Sequence, residues 1–244
     1  MNDVDIFQSW LKKSSITLSD SSIYKYSRAV KNISDDMFDK KVINKSLFEM
    51  GLLELDISVA NILKNNFFVA KNKKGNNMYS NALKQYRYYI LSISNSLIDE
   101  AQIEDLITKS SDITKTEKDA IIKSRIGQGQ FRKSLIEKYD GKCIVTRVDN
   151  IKLLFASHIK PWAICDNDSR IDVENGLLLS ANFDCMFDCG LITFDNNGKI
   201  HISSFVGKEN ERRLHLNNQM VASLKPSSKL LQYLEYHRDV LFVK

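Results

Sequence analysis

The sequence predicts an α+β chain, with helices through its first half and a compact strand–strand–helix unit in its second. Glycine (9) and proline (2) are scarce among 244 residues, which favours helices over a turn-rich all-β fold. Apolar residues recur at helical spacing through the first hundred positions. From about residue 118 the pattern changes to short apolar runs separated by turn signals.

In the first half, Asp5–Lys13 and Ser21–Ile33 read as helices, with Ser19, Asp20 or Ser21 able to cap the second. Leu52–Leu63 repeats the pattern through Leu52, Leu55, Val59, Ile62 and Leu63. The polar segment KNKKGNNMYSN (71–81) is expected to break the helices as an exposed loop, and Tyr79–Ile93 resumes them. Residues 94–118 are rich in Ser, Thr and acids, so a boundary near residue 112 divides the chain into domains 1–112 and 113–244.

In the second half, a helix through Phe131, Leu135 and Ile136 ends at Gly141, a natural C-cap. Cys143–Val145 and Leu153–Ala156 read as two strands with Arg147–Lys152 turning between them. A loop runs from His158 to Arg170, and Leu177–Leu179 leads into a short helix around Asn182–Asp188. Leu191–Phe194 and Lys199–Ser203 flank the hairpin signal Asp195-Asn-Asn-Gly198, and Leu230–Val240 reads as a closing amphipathic helix.

Composition bounds the function classes. With 43% apolar and 27% charged residues, the chain falls in the globular range rather than the disordered one. A net charge of +5 suits a polyanion partner without requiring one. No run approaches the roughly 18 consecutive apolar residues of a membrane helix, so no membrane partner is expected. The acidic start MNDVDIFQSW does not resemble a signal peptide, which points to the cytoplasm. Cys143, Cys165, Cys185 and Cys189 form no CxxC pair and are expected as free thiols.

The chemistry-bearing residues gather in the second half. His158 ends an apolar run, where it is either a core histidine satisfied by a backbone group or the base of a hydrolytic site. Asn175 lies in the returning loop, and Asp184 and Asp188 share one helix face four residues apart. Two carboxylates facing one histidine suit a hard cation such as Mg²⁺, with a neutral imidazole able to take a proton from water. That combination suits phosphodiester hydrolysis.

The segments ASHIKPW (156–162) and NGLLLSANFDCMFDCG (175–190) resemble the His-Asn-His (HNH, ββα-metal) endonucleases, in the restriction-endonuclease-like branch with the pattern ASHIxPW…NGLxL…FDxG. RIGQGQFRKSLIEKYDGKCIVTR (125–147) and YLEYHRDVLF (233–242) resemble the flanks of such proteins, so the likeness spans roughly residues 125–242. The resemblance implies a C-terminal ββα-metal nuclease domain behind a helical N-terminal domain for DNA recognition or dimerisation. It makes His158 the general base, Asn175 the residue holding the loop, and Asp184 a metal ligand, with Asp188 a second ligand. Many members carry Asp immediately before the base. This chain has Ser157, a weaker ligand, so either the shell relies more on Asp184 and water, or Asp188 contributes.

One Mg²⁺ or Mn²⁺ per active site is expected, and no structural zinc. The positions that carry CxxC pairs in zinc-bearing members are here Cys143, Thr146, Ser180 and Phe183. Arg125, Gln128, Gln130, Arg132 and Lys160 flank the unit as candidate nucleic-acid contacts. His201, His215 and His237 lack suitable companions and read as surface or structural. The function implied is a double-stranded-DNA endonuclease, a type II or modification-dependent restriction enzyme acting as a homodimer. The alternatives are a nicking or phage-defence nuclease, or a DNA-binding protein that keeps the fold without catalysis.

Overall fold

The computed structural model describes residues 2–14, 18–93 and 129–244. Arg125, Gln128 and the expected boundary near residue 112 lie outside the described residues.

The first half is helical: α1 (Asp3–Ser14), α2 (Asp20–Asp39), α3 (Leu52–Lys64), α4 (Asn66–Lys74) and α5 (Met78–Ile93). Ser19 caps α2 by accepting the Ser22 N–H. Phe7, Leu11, Val30, Ile33, Leu55, Phe68 and Tyr86 close one core between these helices. The expected loop over 71–81 is corrected. Asn65 caps α4 through the Phe67 and Phe68 N–H groups, and α4 runs on to Lys74. Only a tight turn separates α4 from α5, with Asn76 and Asn77 at positive φ. Both asparagines tolerate that backbone better than most residues, so a polar sequence here marks a turn between helices rather than a long loop.

The second half is mixed. After the helix α6 (129–138) come β1 (Leu154–His158), α7 (Asn167–Ile171), β2 (Gly176–Ser180), α8 (Ala181–Asp188), β3 (Ile192–Phe194), β4 (Ile200–Ile202), α9 (Lys208–Arg213) and α10 (Ser228–Tyr236). A π-helical turn, His237–Leu241, follows α10. The strands form two antiparallel pairs, β1 with β2 and β3 with β4. The Asp195–Gly198 turn joins the second pair as expected: the Asp195 carboxylate accepts the Asn197 and Lys199 N–H groups, and Gly198 sits at φ 81°.

The expected first strand, Cys143–Val145, is a turn. Arg147 takes a positive φ of 62°; Cys143 closes the turn through backbone bonds with Val148 and Arg147, and Ile144 makes isolated ones with Leu178 and Ser223. The true partner of β1 is β2, with Ala156 opposite Leu178 and His158 opposite Gly176. All five β2 residues are buried, so the strand lacks the alternation that marks a half-exposed one. Phe131, Leu135, Leu154, Leu177, Leu179, Phe183 and Phe187 form the core beneath.

Candidate active site

β1 and β2 present the site, and helices pack on both sides of them. Consecutive strand residues point to opposite faces. His158 turns toward α6, where its ring stacks on Phe131 with centroids 4.0 Å apart and planes 7° apart. Ser157 turns toward α8, where its hydroxyl donates to Asp188 Oδ1 at 3.3 Å. The aspartates therefore meet Ser157 rather than facing the histidine directly, as the sequence had suggested.

Gly176, opposite His158, makes the stack possible. A Cβ there would lie 2.5 Å from Phe131 Cζ and 2.7 Å from a Leu135 methyl carbon. Only a residue without a side chain lets α6 approach β2 closely enough to seat Phe131 under the imidazole.

The His158 ring has a defined tautomer. Its Nε2 lies 3.0 Å from the Arg170 carbonyl oxygen. A carbonyl only accepts, so Nε2 carries the proton in the neutral ring and Nδ1 keeps the lone pair. Burial lowers the imidazole's proton affinity below its ordinary value of 6.5; the carbonyl bond opposes this, and the Arg170 charge adds to it. The ring is thus held neutral with one basic nitrogen. Both readings of His158 meet here: its ring is satisfied by a backbone group, yet it remains equipped as a base.

Asn175 is wholly buried and holds the loop that supplies that carbonyl. Its Oδ1 accepts the Lys160 N–H at 2.8 Å, while Nδ2 donates to the Ser169 carbonyl at 3.0 Å and the Lys160 carbonyl at 3.3 Å. Its own carbonyl accepts the Ile159 N–H at 2.9 Å. One amide therefore pins both ends of the 159–170 loop, and Arg170, next to Ser169, is fixed against His158. Asp172 anchors the far side by accepting the Tyr233 hydroxyl at 2.9 Å and pairing with Lys229 at 2.8 Å.

On the other face, burial raises the Asp184 carboxyl above its ordinary range, and a hydrogen bond from Ser157 pulls the other way. Asp184, Asp188 and Ser157 supply oxygen donors only, the set preferred by a hard divalent cation that keeps several waters. Among the described residues, no group of three or more His, Cys, Asp and Glu side chains is arranged to hold a metal ion. A cation here would draw on two carboxylates, a hydroxyl and water.

Of the other expected contacts, Gln130 is exposed on α6. Arg132 donates to the Leu154 and Ile151 carbonyls at 2.7 and 2.8 Å, tying α6 to the start of β1 instead of standing free for phosphate. Lys160 lies half-exposed with its ammonium 5.7 Å from the Tyr236 ring centroid. Cys143 Sγ accepts the Thr146 and Ser180 N–H groups at 3.4 and 3.3 Å and lies 3.7 Å from the Ser180 hydroxyl. His237 is structural: it stacks on Phe187 and bonds Thr193 and the Phe187 carbonyl. Phe131 and Arg170 were missed as neighbours of His158. A stacking partner from another helix and a carbonyl contact leave no residue-type signature at a fixed spacing.

Residues 143–195 match the model of an HNH endonuclease family, a stretch well under half of the chain. The match contains β1, β2 and α8 with Ser157, His158, Lys160, Asn175, Asp184 and Asp188, and leaves out Gln130 and Arg132. No curated protein matches the chain. No helix among the described residues is long and apolar enough to cross a membrane.

Proposed function

We propose that the protein is a metal-dependent DNA endonuclease with a ββα-metal centre built from β1, β2 and α8, and that His158 is its general base. The observation that carries this reading is the fixed tautomer of His158 within a segment matching an endonuclease family. Nδ1 takes a proton from water while the water oxygen bonds to phosphorus. The bond from phosphorus to the 3′ oxygen breaks on the opposite side, and the leaving oxygen is protonated from solvent. The products are 5′-phosphate and 3′-hydroxyl ends. Phe131, Gly176 and Asn175 keep the imidazole in place, which matters because a positioned base contributes about 10²–10⁴-fold.

Asp184 and Asp188, with the Ser157 hydroxyl and water, would hold one Mg²⁺ or Mn²⁺, which supplies charge stabilisation at the phosphoryl and leaving oxygens when bound. The substrate is double-stranded DNA in the cytoplasm, and a homodimer would bring one site to each strand. A type II or modification-dependent restriction role accounts best for a nuclease unit joined to a separate helical unit, for which DNA recognition or dimerisation is the natural task. A second reading, a DNA-binding protein that has lost catalysis, is favoured by Ser157 and by the two-carboxylate shell.

Digestion of methylated and unmethylated plasmid with Mg²⁺ or Mn²⁺, followed by end sequencing, separates the readings. Cuts with 5′-phosphate ends support hydrolysis, and their dependence on methylation assigns the restriction class. DNA binding without cleavage under any divalent cation supports the second reading.

A further inference from the structure

We propose that Arg170 binds the phosphate being cut, so that one residue both orients the base and holds its substrate; this rests on the hydrolytic reading above. Arg170 lies in the last turn of α7, where carbonyls have no intrahelical partner, and its carbonyl takes the His158 Nε2–H at 3.0 Å. Its side chain lies over Trp162, with Cζ 4.1 Å from the ring centroid. Nε donates to the Trp162 carbonyl at 3.3 Å, and a terminal nitrogen reaches Asn167 Oδ1 at 3.5 Å. Both acceptors are neutral.

Among the described residues, no carboxylate lies within ion-pair distance of this guanidinium. Asp166 feels its charge, but its carboxylate caps α7 by accepting the Ser169 N–H at 2.8 Å. Two other arginines of the fold are committed. Arg87 forms a bidentate pair with Asp56, and Arg132 makes two short bonds of 2.7 and 2.8 Å to carbonyls, whereas the Arg170 bonds are long, at 3.3 and 3.5 Å. Arg170 is left as a half-exposed planar cation, braced on an aromatic face, with donors to spare. That is the chemistry of a phosphate fork, pre-oriented so that little side-chain entropy is lost on binding.

The test compares full-length wild type with Arg170→Gln, Arg170→Lys and Arg170→Ala, each checked for folding by thermal melting. Single-turnover cleavage is measured with a divalent cation, and binding of a short DNA duplex is measured across a salt series in EDTA. Arg170→Gln keeps a planar group and an N–H donor but no charge. It should cut about 100-fold more slowly, the usual cost of losing one donor to a developing anion. Its log–log salt slope should fall by about 0.9, the loss of one phosphate contact. Arg170→Lys should keep the slope and recover only part of the rate. A Gln variant that cuts and binds like wild type overturns the proposal. So does an Ala variant whose rate and melting temperature fall together and are both restored by Gln, because stacking on Trp162 would then be the whole role. The binding arm reads Arg170 without cleavage, so failure of wild type to cut overturns only the hydrolytic reading beneath it.

Discussion

Ser157 donates its hydroxyl to Asp188, and its replacement distinguishes a packing role from a metal role. Ser157→Asp sets a third carboxylate at a position that is only 3% exposed, beside Asp184 and Asp188. Like charges at such a place repel, and a cation reverses the effect. The variant is expected to melt below wild type in EDTA and to gain more than wild type from saturating Mg²⁺. Equal gains in both proteins would place the cation elsewhere. On the proposal that His158 is the base, the unprotonated ring is the active form, and burial holds its proton affinity below 6.5. The cleavage rate should therefore rise with pH and reach half its plateau on the acid side of 6.5. His237 gives a separate stability signal. Burial pushes its pKa down to about 3, so the unfolded chain binds a proton that the folded one refuses. Stability should be full above pH 6.5 and decline as pH falls toward 3, which denaturant titrations across that window would show.

At the scale of elements, the site depends on how closely α6 and the 159–170 loop are held to the two strands. Gly176→Ala must displace Phe131 or Leu135, and overpacking of this kind costs about 1–3 kcal/mol. Cleavage should fall more than stability alone explains, because the imidazole loses its stacking partner; urea melts and single-turnover rates on the same variant check this. Asn175→Ala leaves buried backbone groups of the loop unsatisfied, each worth about 1–3 kcal/mol, and should be among the most destabilising changes in the unit. Much of this was legible in sequence. The helices of the first half, the 195–198 hairpin, the strand ending at His158 and the helix bearing Asp184 and Asp188 each carry a periodic pattern or a turn signal. The pairing of β1 was not legible. Cys143–Val145 is apolar because it is buried beside β2, not because it is extended, and β2 is buried on both faces and so shows no alternation. The two faces of β1 were hidden for a related reason: which side His158 and Ser157 take depends on the register with β2.

At the scale of the whole molecule, two hydrophobic cores meet through a small set of contacts. Trp10 stacks on Phe205 at 6.2 Å, and Tyr88 meets the same ring edge-on at 5.1 Å. Lys84 donates to the Arg238 carbonyl at 3.0 Å, an ammonium whose burial lowers its pKa to about 8. Val240 packs against the N-terminal core. Phe205→Ala should cost about 1–3 kcal/mol, less than a fully buried Phe, and should change the fluorescence of Trp10. A variant as stable as wild type would show that the two units do not support each other. The central claim, that His158 is the base, is tested most directly by the single-turnover rate of divalent-cation-dependent plasmid cleavage for His158→Ala beside wild type, with DNA affinity measured on the same preparations. Loss of at least about 100-fold in rate with binding retained is the expected result. Cleavage by His158→Ala at the wild-type rate would contradict it.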